Sequence, residues 1–126
     1  MGEWNEPIVL TQREWAAADA LARELAPDVD RNELGKVISY FQRTRSREKL
    51  FELLERLPRS GYVRSKRTRE YLRRIAGACQ RHLRNVEGDR RALAVLGWSF
   101  RLMTRYQTEA GKRYARGRQK RREGRR

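Results

Sequence analysis

The apolar residues of this chain recur three and four positions apart, and no stretch alternates apolar with polar residues as a half-buried strand would. Thr11 followed by Glu14 has the form of a capping box, in which each side chain bonds the other residue's backbone N–H. The face Trp15, Ala18, Leu21, Ala22 and Leu25 then predicts a helix that Pro27 stops. Asp30 with Glu33 repeats the start signal, and Leu34, Val37, Ile38 and Phe41 give the second helix its apolar side. A basic link, Arg43 to Arg47, leads to a third helix through Leu50, Phe51, Leu54 and Leu57, which ends at Pro58. Arg59-Ser60-Gly61 reads as a turn. The segment from Tyr62 to Arg69 opens a fourth helix with the apolar face Leu72, Ile75, Ala76, Cys79 and Leu83, and Gly88-Asp89 breaks and recaps the chain.

The fifth helix, from about Arg90 to Ala115, carries two apolar faces. Leu93, Leu96, Phe100 and Met103 form one, and Val95, Trp98, Leu102 and Tyr106 form the other, about 140° around the axis. A helix apolar on two sides is covered on two sides. One reading wraps it inside the bundle; the other makes Val95, Trp98, Leu102 and Tyr106 a contact with a second copy or a partner subunit. The expected architecture is therefore all-α: a compact bundle of about five helices over residues 11–115, an N-terminal extension over 1–10, and a disordered basic tail over 116–126 that has no apolar residue to bury.

Charge sharpens this picture. The 126 residues carry 31 Lys and Arg against 16 Asp and Glu, a formal net charge of +15. Residues 1–35 hold 3 basic and 8 acidic side chains, whereas residues 36–126 hold 28 basic and 8 acidic, so the second part is suited to a polyanionic partner and the first is free for other contacts. Only 5 of the cations are lysine, and arginine's planar fork suits bidentate phosphate contacts.

On the fourth helix, Lys66, Arg67, Arg73, Arg74, Arg81 and Arg84 fall opposite the apolar face, with Glu70 nearly alone among them. Arg67, Arg74 and Arg81 recur every seventh residue, a row about 21 Å long that can follow several phosphates. Arg43, Arg45, Arg47, Arg59 and Arg64 add contacts from the link and the turn, and Arg101 and Arg105 from the fifth helix. A basic helix face is commonly just solvated, but such a face usually interleaves acids. Tyr62 is expected to pack under the following helix; its other use would be stacking on a base. The tail, with 7 basic residues and 1 acidic, adds nonspecific attraction to nucleic acid at low salt.

Catalytic chemistry lacks its parts. Cys79 is the only cysteine and His82 the only histidine, which leaves no disulfide and no Cys/His metal site within one chain. Cys79 on the core face reads as inert, and His82 as a packed or interface histidine rather than a base. No paired carboxylates sit on a basic face and no Gly-rich phosphate loop occurs, so no enzyme, metal or cofactor is expected. The acidic start lacks the apolar region of a secretory signal, and no apolar run reaches the roughly 18 residues that would span a bilayer, so a cytoplasmic protein with no membrane contact is expected.

Three segments carry a resemblance. Asn32-Glu33-Leu34-Gly35-Lys36-Val37-Ile38-Ser39-Tyr40-Phe41, the helix start Arg64-Ser65-Lys66-Arg67-Thr68, and Leu96-Gly97-Trp98-Ser99-Phe100-Arg101-Leu102-Met103-Thr104-Arg105-Tyr106 resemble the small helical subunit of type III CRISPR effector complexes, over roughly residues 30–107. The resemblance implies a non-catalytic subunit that stacks in several copies along a ribonucleoprotein. It would touch the backbone of guide RNA and target RNA without reading sequence, and would bridge neighbouring subunits. The alternative from another class is a DNA-binding regulator whose helix-turn-helix uses the third and fourth helices. Against that alternative, the connection between them is longer than the usual turn of about three to four residues, and the fourth helix offers little base-reading Asn or Gln besides Gln80.

Overall fold

The computed structural model describes residues 6–123, with side chains from residue 6 to residue 109. The expected disordered tail over 116–126 lies outside the residues described with their side chains. Five helices follow in order: α1 (Gln12–Leu25), α2 (Arg31–Thr44), α3 (Arg47–Arg56), α4 (Lys66–Leu83) and α5 (Asp89–Glu123), with one 3₁₀ turn (Leu57–Arg59) between α3 and α4. No strand occurs among the described residues.

Local chemistry explains most of the helix starts. The capping box at Thr11 is formed in both directions: Glu14 N–H donates to Thr11 Oγ1 at 3.1 Å, and Thr11 N–H donates to Glu14 Oε1 at 2.8 Å. Asp30 caps α2 by accepting from Asn32 N–H at 2.8 Å, but Glu33 does not reach back; it pairs with Lys36 Nζ at 3.2 Å instead. Ser46 and Ser65 cap α3 and α4 by accepting from Lys49 N–H (3.2 Å) and Thr68 N–H (3.3 Å). Between α2 and α3, Arg45 takes the left-handed conformation (φ 54°) that closes a helix C-terminus, a position more often held by glycine.

The helices share one core, to which Leu21, Leu25, Leu34, Phe41, Leu54, Ile75, Leu83, Leu96 and Met103 each contribute a fully or almost fully buried side chain. Helix α5 lies against α1 along one side and α2 along another, while α4 packs mainly on α1 and α3. Both apolar faces of α5 are thus covered from within the chain. Residues 6–10 run along the bundle, where Leu10 joins the core and the Arg90 and Arg91 guanidinium groups hold the Glu6 and Val9 carbonyls at 2.7 and 3.0 Å.

The stripe Arg91, Val95, Trp98, Leu102 and Tyr106 meets α1. Val95 is completely buried, Trp98 stacks at a tilt on Trp15 with ring centroids 4.8 Å apart, and the Tyr106 hydroxyl donates to Asp19. Of Val95, Trp98, Leu102 and Tyr106, the residues expected to contact a second copy or a partner, Val95 is therefore enclosed by the chain itself, while Trp98, Leu102 and Tyr106 keep part of their surface in solvent beside α1. Further along, Gln107 Nε2 donates to the Ala26 and Val29 carbonyls at 3.1 and 2.7 Å, closing the end of α1 against α5.

Candidate nucleic-acid interface

Helix α4 is placed by its apolar stripe, Leu72, Ile75, Ala78, Cys79 and Leu83, which turns the opposite arc of cations outward. The arc is not uniformly available. Arg74 pairs with Asp28 in the α1–α2 connection (2.9 Å) and with Glu70 (3.7 Å), and Arg73 lies 3.8 Å from Glu70. Arg81 pairs with Glu24 near the end of α1. Of the row Arg67, Arg74, Arg81, two members are thus ion-paired with acids from the first part of the chain, and Arg67 is not. Two further acids of α1 are engaged within the chain: Glu14 holds Arg91 through both carboxylate oxygens at 2.6 Å, and Asp19 takes Arg23 at 2.9 Å together with Tyr106.

Arg47 has a different occupation from the one expected. Its guanidinium donates to the Leu83 and Val86 carbonyls, both at 2.6 Å, and lies 3.2 Å from Asp89. It closes the α4–α5 junction. On α5, Arg105 pairs with Glu109 at 3.1 Å, and the Arg101 guanidinium sits over the Trp98 ring, 4.5 Å from its centre.

Among the described residues, exposed cations without an ion-pair partner occur on several helices, Arg13, Arg31 and Lys49 included, and one group of them gathers between α2 and α4. Arg43, Arg64, Lys66 and Arg67 are exposed, and none is paired among the described residues. They mark one end of the molecule, where α2 finishes and α4 begins. Arg43 and Arg64 flank a cleft of about 550 Å³ between α2 and the start of α4, whose first turn contains no acid. Arg59, Arg56 and Arg69 add unpaired charge around the same connection, and of these only Arg59 is among the contacts expected from the sequence. Arg84, at the far end of α4, is exposed as well. The signal that separates these two groups of arginines is the absence of acids within reach, which depends on helices remote in sequence.

Tyr62 does not pack under α4: 89% of its surface is in solvent, between Arg59 and Arg64. Its ring is open to stacking. His82 Nε2 is 2.8 Å from Glu24, yet burial and the neighbouring Arg81 hold the imidazole below its ordinary pKa. Burial pushes the Cys79 thiol up to about 12, which makes it a packing residue. Among the described residues no group of three His, Cys, Asp or Glu side chains is arranged to hold a metal ion.

Comparison with protein-family models, with curated proteins and with solved structures finds no match. The described residues contain no helix long and apolar enough to cross a membrane.

Proposed function

We propose that this chain is a non-catalytic RNA-binding subunit that grips the phosphate backbone with the end of the bundle where α2 finishes and α4 begins. The observation that carries this reading is the segregation of charge. Acids from α1 and the α1–α2 connection neutralise Arg74 and Arg81, while Arg43, Arg64, Lys66 and Arg67 keep their charge for an external anion. With the resemblance of residues 30–107, the specific form of the proposal is the small subunit of a type III CRISPR effector, a cytoplasmic ribonucleoprotein. Its partners there are guide RNA and target RNA, the other effector subunits and further copies of itself. The α3–α4 connection, from Leu57 to Ser65, favours this reading over a helix-turn-helix, which joins its helices by about three to four residues.

Binding of unrelated RNA oligonucleotides as a function of salt tests the proposal. Each phosphate neutralised steepens the plot of log K against log salt by about 0.7 for single strands and about 0.9 for duplexes. Replacing Arg43, Arg64 and Arg67 by Gln is expected to flatten the slope by roughly 2. Replacing Arg74 and Arg81 by Gln is expected to leave it nearly unchanged. A flat salt response of the native chain, or an equal loss from the paired arginines, overturns the reading.

A further inference from the structure

The cleft between α2 and α4 has more than cations. Its walls are Val37, Tyr40, Leu57, Val63 and Leu72, contributed by α2, the 3₁₀ turn, the connection and α4. Arg43 and Arg64 stand among the residues that line it, with Ser65 and Thr68 at the start of α4. Glu33 is the one acid in the lining, and Lys36 at 3.2 Å compensates its charge. An apolar slot edged by arginines suits a ligand that is flat and apolar on its faces and anionic at one side. Its 550 Å³ falls within the roughly 300–1,000 Å³ typical of small-ligand sites.

A nucleotide has that form, but only when its base is unstacked. In a duplex the base faces are covered by their neighbours, so phosphates can reach the arginines while the apolar walls stay empty. In a single strand the base can leave the stack, and the walls then contribute. Tyr62, exposed beside Arg64, offers a second face on which an adjacent base can stack.

We infer that the Arg43–Arg64 cleft takes one splayed nucleotide of single-stranded RNA, with the base against Tyr40 and its apolar neighbours and the phosphate on the two arginines. This rests on the backbone-binding reading above and adds strand selectivity to it. The chain therefore prefers single strands to duplexes of the same length by about tenfold, which corresponds to about 1.4 kcal/mol and lies at the low end of what stacking one base contributes.

The test uses the full chain with a fluorescein-labelled single-stranded RNA, its blunt duplex, and a single strand carrying 2-aminopurine as an environment-sensitive base. The expected result is about tenfold tighter binding of the single strand and a change in 2-aminopurine emission on binding. Val63→Trp, which fills the slot without changing any charge, is expected to abolish both while keeping the salt slope. Tyr62→Ala, at an exposed position that cannot affect the core, is expected to reduce the single-strand preference alone. Equal affinity for the two forms with a normal salt slope overturns the cleft inference and leaves backbone binding standing. An unchanged preference in a folded Val63→Trp variant also overturns it. No salt-dependent binding to either form overturns both proposals.

Discussion

Glu14 offers the most direct measure of how firmly the acidic first part of the chain is tied to the rest. Glu14 is only 8% exposed, and its carboxylate accepts the Thr11 N–H that completes the capping box and receives two bonds from Arg91 on α5 at 2.6 Å. Hydrogen bonding from Arg91 is the main cause of a pKa lowered from the ordinary 4.5 to about 2, against the opposing effect of burial. At ~1.4 kcal/mol per pH unit, a carboxylate held so low favours the folded state by about 3 kcal/mol at neutral pH. Glu14→Gln keeps a side chain that can serve the capping box and removes only the charge. Arg91, with 34% of its side chain in solvent, recovers part of its hydration when the partner is lost, so the expected destabilisation is about 2 kcal/mol. For a domain of this size that lowers Tm by roughly 8 °C.

The pH dependence of that loss follows from its sign. The folded-state pKa of Glu14 is depressed, so its contribution is complete above 4.5 and disappears as pH falls towards about 2. The assay is thermal unfolding of the native chain and of Glu14→Gln by far-UV circular dichroism over that range. The two Tm values should stand apart at neutral pH, converge below pH 4.5 and meet near pH 2, because a protonated Glu and a Gln are then alike. Other carboxylates titrate in both proteins and cancel in the difference. A gap that is absent at neutral pH, or that stays constant down to the acid end, refutes the reasoning.

Arg47→Ala strips two carbonyls at the α4–α5 junction of their donor and is expected to cost about 1–3 kcal/mol in denaturant unfolding. The same variant should bind RNA with an unaltered salt slope, which a phosphate-contacting Arg47 would not allow. Trp98→Glu breaks the contact with Trp15 and places a charge between α1 and α5, so a loss of about 2–3 kcal/mol is expected by thermal melting. A Trp98→Glu monomer as stable as the native chain would return that face to an intermolecular role.

The helices themselves were legible because their signals are local. A cap lies within three residues of what it caps, as Thr11 and Glu14 do, and an apolar face repeats within one or two turns, as Leu72, Ile75, Cys79 and Leu83 do. The two-sided character of α5 was equally plain, with an intramolecular and an intermolecular reading, and the structure lays α1 on the face of Val95 and Trp98. No local rule could have chosen between them, since either a neighbouring helix or another molecule buries the same area.

The electrostatic map belongs to tertiary structure alone. Along the sequence Arg67, Arg74 and Arg81 are equivalent members of one row, and the first 35 residues form a separate acidic block. Folding lays α1 and the α1–α2 connection beside α4, so Glu24 and Asp28 meet Arg81 and Arg74 across 57 and 46 positions of chain, and Arg67 is left uncovered. The same packing brings Arg43 and Arg64 to one cleft and leaves Tyr62 in solvent. Salt screens Coulombic attraction beyond about 8–10 Å at ordinary ionic strength, so which charges cancel depends on which helices lie side by side. That is a property of the packed bundle, and the periodicity that builds each helix carries no information about it.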